Sequence, residues 1–144
     1  MTTMLNLSEA ASLALHTMSH LAKNGEHRVT TREIAGKFHI SKAHLAKVLG
    51  RLVHAGFISS ARGPKGGFML AKAPDAVTLL DVYEVIEGPI SHNTCVFDVE
   101  CGDVNCIFGG LIETVNHLAK KQLEETALSD LVAADARSGK DATA

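Results

Sequence analysis

The sequence predicts a mainly helical fold carrying one small β-hairpin, on three observations. Apolar residues recur at three- and four-residue spacing through most of the chain. A strand–turn–strand signature occurs once, at "GFISSARGPKGGFMLA". Trp is absent and aromatics are scarce, so the core has to be built from Leu, Ile, Val, Ala and Met. The 144 residues suffice for one domain with a real core, or a small domain plus a dimerising extension.

Each element follows from local chemistry. Ser8 and Glu9 open a first helix to about Lys23, with Ala11, Leu15, Met18 and Ala22 on its buried stripe and Asn24-Gly25 ending it. "TREIAGKF" is a second helix, with Thr31 as its N-cap and Ile34, Ala35 and Phe38 turned inward. Ser41 caps a third, "KAHLAKVLGRLVHAG", whose apolar face is Leu45, Val48, Leu49, Leu52 and Val53. Two short helices joined by a tight turn form a helix-turn-helix, and the hairpin that follows at once is a wing. A further helix fits residues 78 to 88. A longer one runs from about Ile107 to Thr126, with Leu111, Val115, Leu118 and Ala119 as a stripe for a symmetric copy. The expected organisation is therefore a winged helix-turn-helix over residues 1–77, then a connecting helix, cysteine loop and dimerisation helix over 78–132. Residues 133–144 are expected as a disordered tail.

Charge points to a partner. Net charge is −2, yet residues 28 to 72 hold nine Lys or Arg against one acid, Glu33, while acids dominate 75 to 103. The basic segment is the expected polyanion face. On it, Arg32, Ser41, Lys42, His44 and Lys47 on the helix-turn-helix and Arg62 and Lys65 on the wing are the DNA-binding candidates. A lysine can donate to a guanine edge or a phosphate, and a helix N-terminus can hold a phosphate oxygen. No signal peptide or membrane span is read, so a cytoplasmic protein with no membrane partner is expected.

All three cysteines, Cys95, Cys101 and Cys106, lie within twelve residues, spaced C-x5-C-x4-C. In a reducing compartment, crowded thiols favour metal over disulfides. Zinc knuckles use C-x2-C, absent from this segment, whereas iron–sulfur clusters accept wider spacings. Idle thiols and a disulfide switch remain alternatives at this level. A thiol enzyme is not supported, because no base and orienting partner stand beside a cysteine in the sequence.

Together "LNLSEAASLAL", the "TREIAGKFHISKAHLAKVLGRLVHAGFISSARGPKGGFML" block, "TLLDVYEVIEG", the cysteine loop and "LSDLV" resemble the IscR/NsrR-like winged-helix regulators of the Rrf-two type. The resemblance covers about residues 5 to 132. It implies a homodimer on palindromic double-stranded promoter DNA, with Arg62 in the minor groove. It also implies an iron–sulfur cluster, 4Fe–4S or 2Fe–2S, sensing nitric oxide, redox state or cluster supply, most simply in a repressor. Some family members lack cysteines and sense other signals, so a thiol or small-molecule sensor without a cluster is the alternative. The fourth ligand is in question. One branch has a His where Gly109 stands, and another has an Asp in the partner's first helix, aligned with Ser12. His16 matches the His used by a branch with a small cluster, and it shares a helical face with Glu9 and Ser12. His16 from the partner subunit is thus the first choice of fourth ligand to Cys95, Cys101 and Cys106, with Asp98, Asp103, His92 and His117 as local donors and a plain polar-face role beside His20 as the alternatives.

Overall fold

The computed structural model describes residues 7–90, 107–108 and 110–141. Helix α1, Glu9–Asn24, starts at Ser8, whose hydroxyl accepts from the Ala11 amide at 3.0 Å. The helix is the hub of the core: Ala11, Ala14, Met18 and Leu21 are essentially sealed from solvent. The anticipated Leu15 is only half-buried and lies at the edge of the stripe. Gly25, at φ 58°, closes the helix in a conformation that favours glycine.

Helix α2, Thr31–Phe38, is capped by Thr30 rather than Thr31. The reason is reciprocal. The Thr30 hydroxyl accepts from the Glu33 amide at 3.2 Å, and the Glu33 carboxylate accepts from the Thr30 amide and hydroxyl at 2.7 Å each. Thr31 offers no partner three residues on that could answer in this way, since Ile34 is apolar. Helix α3, Lys42–His54, is capped by Ser41, and Leu45, Val48, Leu49 and Leu52 enter the core. Val53, expected on that face, is exposed, lying one residue past the buried Leu52 toward the helix's outer side. Between α2 and α3 the turn passes through His39 at φ 54°, the one described non-glycine residue in the left-handed region.

Strands β1, Ile58–Ala61, and β2, Gly67–Leu70, pair antiparallel with Ile58 opposite Leu70 and Ala61 opposite Gly67. Val29 adds a short bridge to Phe68 on the far side of β2. After a short 3-10 turn, helix α4, Leu79–Glu87, packs most heavily on α1. It carries its own Thr78/Asp81 capping box, and Ser8 Oγ donates to the Glu87 carboxylate, tying its last turn to the start of α1.

Helix α5, Leu111–Glu125, begins four residues later than the periodicity suggested, after Gly110 in a left-handed conformation. None of its residues is buried. Helix α6, Leu128–Asp141, then returns to α1. It corrects the expected disordered tail, since the helix runs through residues 133 to 141. Its first residue, Leu128, is fully buried, and Lys23 on α1 pairs with Asp135 at 2.7 Å. The small, helix-favouring alanines of "AADAR" and this docking onto α1 outweigh the polarity that suggested disorder. Among the described residues no helix is long and apolar enough to cross a membrane.

Candidate nucleic-acid interface and sensor groove

Helix α3 carries two unlike faces. Its buried row anchors it, and its outward row reads Lys42, Ala43, Ala46, Lys47, Gly50, Arg51. The small residues between the cations let the helix axis approach a surface closely, and a Cβ at Gly50 would meet only open space. Arg51 stands one turn after Lys47 on this row. It was missed among the sequence candidates, although its i+4 spacing from Lys47 was the available signal. Ser41 is exposed at the head of the helix, where its oxygen accepts from the His44 amide at 3.2 Å.

His44 departs from the sequence expectation. It is half-buried, and its Nε2 is enclosed with no hydrogen-bond partner among the described residues. An enclosed ring nitrogen cannot reach a base edge without the side chain swinging outward. Arg32 lies exposed on α2, and Arg62 and Lys65 are exposed on the wing tip. The wing joins α3 through Phe57, whose amide donates to the Leu52 carbonyl at 3.0 Å and whose carbonyl accepts from the Ala71 amide, just past the returning strand, at 2.9 Å. At the base of β2, Lys72 Nζ sits 4.4 Å over the Phe57 ring. Wing and recognition helix thus form one basic unit. Glu33, the one acid of this segment, is committed to the α2 cap, and the Thr30 hydrogen bonds hold its carboxyl below the usual carboxylate range.

A second feature lies beside the α2–α3 turn. Leu7, Leu13, Phe38 and Ile40 form the apolar walls of an open groove whose polar lining is Glu9, Ser12 and His16. The sequence-derived face of α1 is therefore gathered into one concavity. His16 and His20, one turn apart, both meet Phe38 edge-on, with ring centroids at 5.9 and 6.2 Å. Phe38 was expected only as a core residue, and its role between the two imidazoles was missed.

The two rings are held in opposite tautomers. His16 Nδ1 lies 2.7 Å from the Ser12 carbonyl, which can only accept, so Nδ1 carries the proton and Nε2 keeps a free lone pair. Asn24 Nδ2 donates to the His20 carbonyl at 2.6 Å, which fixes the orientation of the amide. The same Nδ2 lies 3.3 Å from His20 Nδ1, which accepts from the amide and so leaves the ring proton on Nε2. His16 is thereby the ring prepared to donate an electron pair outward. Burial, reinforced by the charge of Lys37, pushes His20 below the usual histidine range, with Glu33 pulling weakly the other way.

Cys95, Cys101 and Cys106 lie outside the described residues, as do His92, Asp98, Asp103 and Gly109. Among the described residues no cluster of three or more metal-ligating side chains occurs. Of the expected set of Cys95, Cys101, Cys106 and His16, only His16 falls within the described residues, where its side chain is exposed at the mouth of the groove.

Comparison with known proteins agrees with this architecture. The family described as Rrf2, iron-dependent transcriptional regulator, matches residues 7–134. The transcriptional regulator CymR of Bacillus subtilis is 32% identical over 128 residues, covering 88% of this chain and 89% of that one. NsrR of Bacillus licheniformis is 30% identical over 107 residues, 68% of this chain and 75% of that protein. A BadM regulator of Rhodopseudomonas palustris is 42% identical, but the match spans only 58% of this chain and 53% of the relative. The solved structure of B. subtilis CymR, described as the global cysteine regulator, superposes with a TM-score of 0.75 over 90% of this chain and 98% of that one. IscR of T. potens, at 24% identity, shares the fold with a TM-score of 0.72, covering 92% of this chain and 89% of that one. The chain belongs to the Rrf2 family of winged-helix transcriptional regulators.

Proposed function

We propose that the protein is a cytoplasmic homodimer that represses transcription from palindromic promoter DNA, and that an iron–sulfur cluster sets its affinity. Lys42, Lys47 and Arg51 on α3 reach into the major groove, Ser41 and Arg32 hold phosphates, and Arg62 and Lys65 on the wing engage the minor groove and its backbone. The exposed apolar side chains Ile107, Phe108, Leu111 and Leu118 meet their copies across a two-fold axis. Cys95, Cys101 and Cys106 hold the cluster, and His16 of the other subunit completes the set. When bound, such a cluster supplies thiolate-ligated iron that reacts with nitric oxide and oxygen.

The observation that carries the sensor reading is the His16 tautomer, since the 2.7 Å bond to the Ser12 carbonyl frees Nε2 for a metal. His16 also touches Phe38, the last residue of α2, so its position is mechanically close to the recognition helix. Half-sites on DNA are separated by a fixed helical repeat, and a small change in the spacing of two recognition helices costs much affinity. The test is anaerobic purification of the wild type and His16→Ala. We expect bound iron and sulfide with visible absorbance in the wild type, and an altered spectrum with weaker DNA binding in the variant. An unchanged spectrum and affinity in the variant removes His16 from the ligand set.

A second reading, regulation by cysteine or by oxidation of the protein's own thiols without a cluster, is favoured by the likeness to the B. subtilis cysteine regulator. Colourless protein without iron after anaerobic purification would select it.

A further inference from the structure

The basic segment begins at Arg28, which composition alone counts with the DNA-facing cations. The structure turns it the other way. Arg28 is half-buried, and its Nη1 donates to the Gly67 carbonyl at 3.2 Å, thirty-nine residues along the chain. Its neighbour Val29 is 94% withdrawn from solvent, at 6% exposure, and exchanges two backbone hydrogen bonds with Phe68, at 2.9 and 2.8 Å. Three hydrogen bonds therefore join the residues just before the α2 cap to the first two residues of the wing's returning strand. The approach is so close that a Cβ on Gly67 would lie 2.8 Å from the Val29 carbonyl oxygen, at a φ of 132° that side chains avoid. Gly66 is crowded too, since its Cβ would fall 2.4 Å from the Ala61 carbonyl oxygen. Gly67 is thus the shape needed to press the hairpin onto Val29, while Gly66 lets the wing's own turn close on itself.

We infer that Arg28 is a positioning residue for sequence discrimination: it locks the wing in register with α2 and does not itself bind phosphate. This inference rests on the reading of the basic face as a DNA surface. A wing tied only to α3 could pivot about Phe57. The extra attachment through Arg28 and Val29 fixes it at a second point, so Arg62 meets the minor groove at a set distance from the bases read by α3. A guanidinium suits this task because its donors are planar and directed, whereas an ammonium is a rotating point charge.

The test uses full-length protein and two duplexes of equal length, one selected by the wild type from a randomised library and one of random sequence. Binding is measured across a salt series for wild type, Arg28→Met and Arg28→Lys, with amide exchange at Phe68 followed in each. Losing a phosphate contact lowers the slope of log affinity against log salt by about one unit and weakens both duplexes alike. A positioning role predicts otherwise. Both variants lose about tenfold on the selected duplex. The random duplex is nearly unaffected, the salt slope is kept, and the Phe68 amide exchanges faster. Full recovery of discrimination by Arg28→Lys, or a slope reduced by about one with Phe68 protection intact, overturns the inference. Should the wild type select no duplex at all, the DNA reading itself falls and takes this role with it. Faster Phe68 exchange would then show only that the clamp exists.

Discussion

Helices α3 and α5 are of similar length and both amphipathic, yet they end in opposite conditions. Leu45, Val48, Leu49 and Leu52 of α3 are 0 to 2% exposed, whereas α5 buries nothing and leaves Leu118 61% exposed. The first stripe is satisfied within one chain. The second is only partly covered: α4 packs on the helix and Val115 and Ala119 are half-buried, while Leu111 and Leu118 stay exposed, an apolar edge of the kind a symmetric interface uses. A helix needs a partner for its apolar stripe, and where the partner sits decides whether the helix serves stability or assembly.

Substitutions can break this contrast. Leu52→Ala should be the most costly, lowering unfolding stability by about 3 kcal/mol in urea denaturation, because the site is fully enclosed and leaves a cavity. A loss under about 1 kcal/mol would mean that α3 is not anchored as described. Leu118→Glu should leave the helical circular dichroism nearly intact while weakening self-association about 100-fold or more, read by sedimentation equilibrium. Unchanged association would remove α5 from the interface. His39→Gly sharpens the same contrast from the hinge before α3. Relieving a left-handed residue at φ 54° should raise stability by about 0.5 kcal/mol, after the entropic cost of glycine. A decrease would show that the His39 side chain contributes more than its backbone strain costs.

The smallest expected effect is a pH dependence at His20. Its folded pKa is depressed by burial and by Lys37, so the unfolded chain binds a proton more readily near the ordinary value of 6.5. The contribution is therefore complete above pH 6.5 and is lost as pH falls through the folded value. Lys37, Lys23 and Glu33 are the charges that face it. His20→Gln should flatten this part of the stability curve and only slightly reduce the more acidic loss that comes from Glu33, whose carboxyl is held below its usual range chiefly by the Thr30 hydrogen bonds and least by His20. An undiminished slope between pH 6.5 and 5 in the variant would assign it to another group.

The helices and the wing were legible because their signals are local: Ser8 and Ser41 as caps, the leucine spacing of α3, and the Gly-Pro turn of the hairpin. The Thr30 cap was misplaced by one residue because two threonines stand side by side, and only Glu33 at the right distance decides between them. Helix α6 was illegible past residue 132 because its stability comes from packing on α1, through Leu128 and the Lys23–Asp135 pair, which are distant in sequence. At the candidate site, the shared face of Glu9, Ser12 and His16 followed from helical spacing alone. The tautomers of His16 and His20 did not, since they depend on which backbone carbonyl each neighbour reaches. Arg28 was likewise a charge in a count until its partner at Gly67 was seen.

The strand-like contact between residues 77–79 and 126–128 has a consequence for how such regulators can be recombined. The Leu79 amide donates to the Thr126 carbonyl at 2.9 Å and the Leu128 amide to the Val77 carbonyl at 3.0 Å, with Leu128 sealed in the same core as α1 and α3. The reading head is thus finished by the far end of the chain. A chimera that grafts residues 1–77 onto a relative's sensing half inherits a foreign keystone, and it should fold only if the donor supplies a residue shaped like Leu128 at the corner between α5 and α6.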